Sequence, residues 1–291
     1  MRHSMTRTDA ATRDMEDFRA LIEERTGICF DDSRERFFQT RVLEHLQEKK
    51  MATVAELMRK VRASNVEYEL LLQRLLTQET CFFRYPSAYE ALKQRILPEV
   101  GARKSKAKPR KVRIWSAGCS TGEEPYSIAI ALKESNFFNP GGMEAEILAT
   151  DVSREAVARA IKGIYPARSI ANLTPDRITA NFVKVNGQFQ LKRDIRAQVS
   201  FVVMNLVQCL YMGRMDCVFC MNVVMYFSED QRDRVIRCFY DCLGPGGYLL
   251  LGHSESMGMK PAGFEKVVFE DCVLYRKPSG ENGSSDLGGY V

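Results

Sequence analysis

Residues 114–122 read IWSAGCSTG, an apolar run that ends in a stretch of small residues. Glu123 and Glu124 follow at once, before the apolar stretch PYSIAIAL of residues 125–132. This order predicts a strand, a glycine-rich turn and a helix, the junction at which open α/β sheets bind nucleoside-type ligands. The letters GCSTG of residues 118–122 also fit G-x-S-x-G, the turn that presents a nucleophilic serine in α/β-hydrolases, so both interpretations stay open at this point.

The rest of the chain predicts an α/β fold behind an all-helical N-terminal domain. From residue 112 to 277, apolar stretches of strand length alternate with amphipathic helical patterns, which predicts a mostly parallel, doubly wound sheet. An Asn186-Gly187 pair between two alternating stretches predicts a type I′ hairpin, within a small antiparallel insert at about 165–200.

Residues outside this α/β region divide into four further segments. Helical apolar patterns run through residues 14–97, and residues 98–111 are basic and linker-like. Residues 1–13 and the polar tail 278–291 are predicted to be disordered.

Bulk composition describes an ordinary globular protein with a mild net charge of +5 over 291 residues. Nine cysteines, an odd number without small-scaffold spacing, argue against a disulfide framework. Cys217-x-x-Cys220 has metal or redox spacing, but it lies in a buried-strand pattern and lacks a second ligand pair, which favours two core thiols and no metal site. Neither a secretory signal nor an apolar run of about 18 residues is present, which predicts a cytoplasmic protein with no membrane insertion.

Small or polar residues follow four predicted strands, and these strand ends share one edge of the sheet. They are the 118–124 turn, Asp151, Asn205 and Asn222. Glycines let the backbone approach a ligand, an acid after the second strand can accept both ribose hydroxyls, and asparagines can pair with an adenine edge. The carboxylates beside the turn would repel a pyrophosphate and suit a cation. A nucleoside with a positive end and no phosphate is S-adenosylmethionine.

Two other regions bear on the choice of chemistry. A serine hydrolase would need an acid and then a histidine later in the chain, for which Asp216 or Asp241 and His253 are the candidates. Upstream, LLTQETCFFRYPSAYEAL carries Thr80 and Arg84, either on a surface corner or in a segment that closes over the cofactor.

Six segments in this order resemble the chemotaxis receptor methyltransferases of the CheR type, over residues 15–277. They are TQETCFFRYPSAYE, IWSAGCSTGEEPYSIAIAL, ATDVSREAVARA, GIYP, FCMNVVMYF and LGPGGYLLLGHSES. The resemblance implies a protein-glutamate O-methyltransferase that uses S-adenosylmethionine, leaves S-adenosylhomocysteine, and acts on the cytoplasmic helices of methyl-accepting chemoreceptors.

The resemblance also implies a set of site residues. Glu124 would hold the methionine amino group, Asp151 the ribose, and Arg84 and Tyr226 would be catalytic residues near the reactive methyl. The full set expected at the cofactor is Gln78, Thr80, Arg84, Gly118, Glu124, Asp151, Asn205, Leu206, Met221 and Asn222. A glutamate carboxylate is ionised at neutral pH, so positioning and water exclusion should supply the rate.

Departures from the family pattern concern the pocket and the partner. Met221 replaces a usual arginine, Gln78 replaces a frequent asparagine, and Glu44 and His45 make the second helix less basic than in well-known members. The hairpin loop VNGQ is short, so a receptor-tail pentapeptide is not an expected partner. The alternatives are an RNA methyltransferase that uses the basic residues of segment 101–111, although nucleic acid is not the expected partner, and a non-catalytic signalling module.

Overall fold

The computed structural model describes residues 7–76, 79–105, 110–135, 143–258, 261 and 263–279. The helices are α1 (Arg7–Thr26), α2 (Asp32–Glu48), α3 (Val54–Ala63), α4 (Asn65–Leu75), α5 (Pro86–Ala91), α6 (Leu97–Arg103), α7 (Glu123–Glu134), α8 (Arg154–Lys162), α9 (Pro175–Asn181), α10 (Arg193–Arg196), α11 (Glu229–Cys242) and α12 (His253–Gly258). The strands are β1 (Lys111–Ala117), β2 (Glu144–Asp151), β3 (Ile164–Tyr165), β4 (Phe182–Val185), β5 (Gln188–Leu191), β6 (Val199–Val203), β7 (Met215–Cys220), β8 (Leu243–Leu251), β9 (Glu265–Phe269) and β10 (Cys272–Arg276). No helix in these ranges is long and apolar enough to cross a bilayer.

Seven strands form the main sheet in the order β6-β2-β1-β7-β8-β10-β9. The first five are parallel to their neighbours, and β10 runs antiparallel to both β8 and β9. The order steps outward from β1 in both directions, so the switch point lies between β1 and β7, where such sheets open a ligand crevice. The predicted doubly wound, mostly parallel sheet is confirmed, with an antiparallel pair at one edge.

Alternate residues of the central strands face two different helix layers. On β7, Cys217 and Phe219 lie in a core shared with α5, α6 and α7, whereas Val218 and Cys220 lie in a core shared with α1 to α4 and α11. This follows from the two-residue period of a strand. Because Cys217 and Cys220 are three positions apart, their thiols point to opposite faces, and the prediction of two buried core thiols is confirmed.

The N-terminal helical bundle differs from the prediction at both of its ends. Helix α1 begins at Arg7, inside the segment 1–13 predicted to be disordered, because its first turns lack an apolar stripe and periodicity therefore misses them. At the other end, Leu92, Ile96 and Val100 pack into the same core as β1. The helices after residue 79 thus belong to the sheet layer, not to a helical domain extending to 97, because periodicity identifies a helix but not the surface that it covers.

The predicted basic linker 98–111 is partly regular structure. Helix α6 continues through Arg103, and β1 already begins at Lys111. Lys104 forms an ion pair with Asp216 and donates to the carbonyl of Lys111 at 2.7 Å. These contacts lie at the amino end of the parallel strands, the edge opposite to the 118–124 turn.

The insert between β2 and β6 is a three-stranded antiparallel sheet in the order β3-β5-β4. Asn186 and Gly187 both have positive φ angles, +48° and +77°, at its tip. Two positive φ angles are the signature of a type I′ turn, so the predicted hairpin is confirmed. Residues 280–291 of the predicted tail and residues 1–6 lie outside the described residues.

Candidate functional site

One cleft opens at the carboxyl ends of β1, β2, β6 and β7. Every predicted site residue that the structure describes lines it, namely Thr80, Arg84, Gly118, Glu124, Asp151, Asn205, Leu206, Met221, Asn222 and Tyr226. Gln78 lies outside the described residues. The chain therefore brings residues from five separate segments to one place.

The glycine turn after β1 is held against β2 by its backbone. The N–H groups of Gly118 and Cys119 both donate to the carbonyl of Thr150, at 2.8 and 2.9 Å. Gly118 has a φ of +83°, and a Cβ atom there would stand 2.4 Å from Cγ2 of Val223. Only glycine fits, since any side chain would be strained and would collide with the wall of the cleft.

Asp151 fixes the middle of the same turn. Its Oδ2 accepts from the N–H of Ser120 at 2.7 Å, and its Oδ1 accepts from the N–H of Ser153 at 2.9 Å. Burial raises the pKa of this carboxyl, although these backbone bonds oppose the shift. Each oxygen keeps a further lone pair toward the cleft, as a ribose diol requires.

The two acids after the turn have different environments. Glu124 lines the cleft, and its Oε1 accepts from Oγ of Ser116 at 2.7 Å. Burial raises the pKa of Glu124 to about 7, and the nearby carboxylate of Glu255 adds to that shift. Glu123 is buried away from the cleft, where it accepts from the hydroxyls of Thr121 at 2.6 Å and Ser169 at 3.0 Å. Of the two acids after the turn, only Glu124 is therefore available to bind a cationic ligand in the cleft.

The charge of the cleft suits S-adenosylmethionine. Glu124 and Asp151 present buried carboxyl groups, while Arg84 is the one basic residue among the described residues that line the cleft. Such a lining disfavours a pyrophosphate and favours a nucleoside that carries an ammonium and a sulfonium charge. Gly118 and Val223 both line the cleft and pack closely, since Val223 occupies the space that a Cβ on Gly118 would need.

Two buried phenylalanines hold the segment 79–85 over the cleft. Phe82 is fully buried and packs edge-on against Tyr165 and Phe182, with ring centroids 4.9 and 5.1 Å apart. The N–H of the buried Phe83 donates to Oγ of Ser127 at 3.0 Å. With these side chains turned into the core, Thr80 and the exposed Arg84 line the cleft.

Glu255 organises the loop after β7, and the sequence analysis missed it. Its buried carboxylate accepts from four backbone N–H groups at 2.7 to 3.1 Å, those of Asn222, Val223, Met225 and Gly252. Tyr85, also missed, donates from its hydroxyl to Oδ1 of Asn222 at 2.8 Å. An acid inside the small-residue stretch LGHSES, directly after a buried strand, was the available signal for Glu255.

Asn205 lines the cleft and also connects the N-terminal bundle to the sheet. Its Nδ2 donates to the carbonyl of Arg25 at 2.9 Å, and its Oδ1 accepts from the N–H of Val207 at 3.2 Å. Both polar atoms therefore already have protein partners. Asn205 lines the cleft, but its amide ties the end of α1 to the strand end after β6.

The N-terminal bundle supplies part of the cleft wall. Thr26 and Ile28 line the cleft, and the N–H of Cys29 donates to the carbonyl of Tyr226 at 2.7 Å. The guanidinium of Arg34 on α2 lies 4.6 Å from the ring centroid of Tyr226. Sequence patterns gave no sign that the two halves of the chain meet at the site.

A serine-hydrolase arrangement is not supported by the geometry. The buried Oγ of Ser120 has no hydrogen-bond partner within the described residues. His253 is exposed on α12 and is not among the described residues of the cleft. Asp216, one candidate acid, binds Lys104 at the opposite edge of the sheet. A nucleophilic serine needs a base within hydrogen-bond reach.

The doubly wound sheet, the glycine turn against β2 and the buried acids at the carboxyl ends of β1 and β2 define an S-adenosylmethionine-dependent methyltransferase. Comparison with protein families gives the particular group. The model of the CheR methyltransferase, SAM binding domain, matches residues 78–272, and that of the CheR methyltransferase, all-alpha domain, matches residues 13–76. The chain belongs to the CheR methyltransferase family, which confirms the resemblance.

Individual relatives cover nearly the whole chain. Chemotaxis protein methyltransferase 1 of Pseudomonas aeruginosa is 33% identical over 92% of this chain and 98% of its own length. Chemotaxis protein methyltransferase 2 of Vibrio cholerae is 34% identical over 92% of this chain and 93% of its own length. Among solved structures, a class I S-adenosylmethionine-dependent methyltransferase from Listeria monocytogenes is 13% identical, with a TM-score of 0.43, over 94% of this chain and 91% of that one.

Proposed function

We propose that this enzyme transfers the methyl group of S-adenosylmethionine to glutamate side chains on the cytoplasmic helices of methyl-accepting chemoreceptors. Relatives that carry the name chemotaxis protein methyltransferase support the pathway. The observation that carries the reaction type is the lining of the cleft. Its described residues include one cation, Arg84, and neither histidine nor lysine.

That lining favours an acceptor that needs no deprotonation. An amine or alcohol would have to lose a proton to a base, and histidine is the usual base at neutral pH. A glutamate carboxylate is already ionised, with an ordinary pKa of about 4.3. What it needs instead is a cation that holds it in line with the methyl group, and Arg84, which lines the cleft, is the cation that we assign to this role.

Each cleft residue then has a defined task. Bound S-adenosylmethionine supplies an electrophilic methyl group on a positively charged sulfur. Glu124 holds the ammonium group of the cofactor, and Asp151 accepts from the ribose hydroxyls. Arg84 orients the acceptor carboxylate through two parallel hydrogen bonds, and Tyr226 donates a hydrogen bond that fixes the reacting groups. Met221, partly buried against the sheet core, contributes packing at the cleft.

One residue that the sequence analysis considered for the receptor-facing surface of α2 turns out to be buried. His45 is fully buried, with Nε2 2.6 Å from Oε1 of Glu67, so it cannot present itself to a receptor helix. Glu44 pairs with Arg41 at 2.9 Å on the surface of α2. Because the hairpin loop at Asn186 is short, we propose that the enzyme does not need a receptor-tail pentapeptide. Calorimetry with such a peptide tests this, and tight binding would contradict it.

The RNA alternative loses its main support. Three of the described basic residues of segment 101–111, Arg103, Lys104 and Lys111, pair with Asp216 or Glu146 at the edge of the sheet opposite to the cleft. An RNA bound there would not reach the cofactor.

A single labelling reaction tests the proposal in the cytoplasmic context that we propose for this enzyme. The purified protein is mixed with methyl-labelled S-adenosylmethionine and membranes from its source cell, and the product is treated with mild base. We expect label on a membrane protein that leaves as volatile methanol. An Arg84→Ala variant should lose this label, whereas Arg168→Ala, an exposed arginine outside the cleft, should keep it. Base-stable label on RNA would contradict the proposal.

A further inference from the structure

Three thiols converge beside the cofactor cleft. Cys238 and Cys242, one turn apart on α11, both direct their sulfurs at the carbonyl of Leu210, at 3.8 and 3.9 Å. Cys209, the residue before Leu210, places its sulfur 3.7 Å from the carbonyl of Arg234 on the same helix. Arg234, Cys238 and Cys242 follow one another at four-residue intervals on α11, so Cys238 lies between the carbonyl that Cys209 contacts and Cys242.

The three thiols differ in access to solvent. Cys209 is exposed, while Cys238 is 8% exposed and Cys242 is 1% exposed. A dissolved oxidant therefore meets Cys209 first. The interaction between Cys238 and Cys242 lowers the pKa of the Cys242 thiol and raises the pKa of the Cys238 thiol.

We propose that Cys209, Cys238 and Cys242 form a peroxide-responsive modification site in which oxidation joins Cys209 to Cys238. In the first step the exposed Cys209 thiol takes one oxygen from hydrogen peroxide and becomes a sulfenic acid, and the second oxygen leaves as water with the thiol proton. In the second step Cys238 attacks that sulfur. Its proton and the sulfenic hydroxyl leave as water, and a disulfide remains.

Helix geometry favours this pairing over one between Cys238 and Cys242. Residues four apart on a helix have Cβ atoms about 5–6 Å apart, whereas a disulfide needs about 3.5–4.5 Å. Bonding the two helical cysteines would distort α11. Cys209 lies on an irregular segment between a short 3-10 turn and β7, so it can move toward the helix.

A Cys209–Cys238 disulfide would change the affinity for the cofactor through the residues just before Cys209. The N–H of Cys209 donates to the carbonyl of Leu206 at 3.1 Å, and Leu206 lines the cleft. Cys209 itself has a φ of +48°, a conformation that non-glycine residues hold only when their surroundings require it. Moving it onto α11 displaces Leu206 and the neighbouring Asn205, so binding of the cofactor weakens.

The experiment uses the full chain and reads the bond itself. The protein is treated with hydrogen peroxide, its remaining thiols are alkylated, and peptides are mapped by mass spectrometry. Affinity for S-adenosylhomocysteine is measured by calorimetry before oxidation, after it, and after dithiothreitol. Variants Cys209→Ser and Cys238→Ser are compared with Cys272→Ser, a partly exposed thiol on β10 outside the group.

We expect a Cys209–Cys238 cross-link in the wild type and in Cys272→Ser, with affinity that falls several-fold and returns on reduction. The other two variants should form no such bond and keep their affinity after peroxide. Oxidation of Cys209 only to sulfinic acid, a bond to Cys242 instead, or a cross-link that leaves affinity unchanged would overturn the proposal. Because the readouts are mass and cofactor affinity, the outcome does not depend on which acceptor the enzyme methylates.

Discussion

Glu255 holds the backbone of Asn222 in place, with Oε2 of the acid accepting from the N–H of Asn222 at 2.8 Å. Asn222 has a φ of +60°, in the left-handed region that asparagine tolerates better than most other residues. The same carboxylate binds three more N–H groups around it, so one buried side chain determines the shape of the loop between β7 and α11.

Replacing this carboxylate should disorder the loop. Glu255→Gln keeps the size but offers an NH₂ group to N–H donors, so we expect a loss of about 3 kcal/mol in the free energy of unfolding. Cofactor affinity should fall at least about tenfold, since 1.4 kcal/mol is a factor of ten. Denaturant unfolding and calorimetry measure the two effects. Glu265→Gln, exposed on β9, is the control, and equal behaviour of both variants would refute the role of Glu255.

Cofactor binding should depend on pH through Glu124. Its pKa of about 7 in the free protein means that it is mostly neutral at pH 6 and mostly ionised at pH 8, and only the ionised form attracts an ammonium group. We expect affinity for S-adenosylhomocysteine to rise over this range and then level off. Glu124→Gln should bind weakly with no such rise. A pH profile that is unchanged in the variant would assign the titration to another group.

Glu124 should also lower the free energy of unfolding of the cofactor-free protein at neutral and alkaline pH. Because burial raises its pKa above the ordinary 4.5, folding is opposed as pH rises from the ordinary value through about 7. Glu124→Gln should therefore melt at a higher temperature than the wild type at pH 8 without cofactor, and the difference should vanish near pH 4. Thermal scans at both pH values check this. Glu144→Gln, exposed on β2, should show no such difference.

Alanine substitutions at two glycines with positive φ distinguish the cost of backbone strain from the cost of a steric collision. Gly187→Ala, at φ +77° with no atom within 4 Å of its new Cβ, should cost about 1 kcal/mol of stability and leave cofactor binding intact. Gly118→Ala adds a contact of 2.4 Å with Val223 to similar strain. It should lower stability further and abolish measurable cofactor binding. Calorimetry that finds normal binding in Gly118→Ala would show that the turn can yield.

Arg84 should affect turnover more than cofactor affinity. Arg84→Lys keeps the charge but loses the planar fork that holds a carboxylate, so we expect kcat to fall about 100-fold, within the range of losing one transition-state contact. Affinity for S-adenosylhomocysteine, measured without any acceptor glutamate, should change little. Methanol release and calorimetry give the two numbers. A matching loss of cofactor affinity would place Arg84 on the cofactor rather than on the acceptor.

The elements of the fold and site that could be predicted from the sequence are those encoded by short-range sequence patterns. The strand, turn and helix around Gly118, and the hairpin at Asn186, follow from short-range patterns and were predicted correctly. The gathering of Asp151 and Asn222 at one edge followed from parallel-sheet topology. Glu255 could not be assigned in this way, because its partners are backbone groups that no sequence pattern displays.

Long-range packing explains the other misses. The helical pattern that ran to residue 97 predicted α5 but not that it covers the sheet, and most of α6 fell in the predicted linker. His45 looked like a surface residue and is buried against Glu67. Asn205 also donates to the carbonyl of Arg25, 180 residues away, a contact that no sequence pattern indicated.

The contacts that join the N-terminal bundle to the cleft have a thermodynamic consequence. Arg25, Ile28 and Cys29 are bonded to residues that line the cleft or to their neighbours, so a ligand that shifts the junction of α1 and α2 changes the affinity of the cofactor. Binding linkage is reciprocal, so cofactor occupancy must change the affinity of that ligand by the same factor. A partner that grips the helical bundle can therefore distinguish a loaded enzyme from an empty one without touching the cofactor.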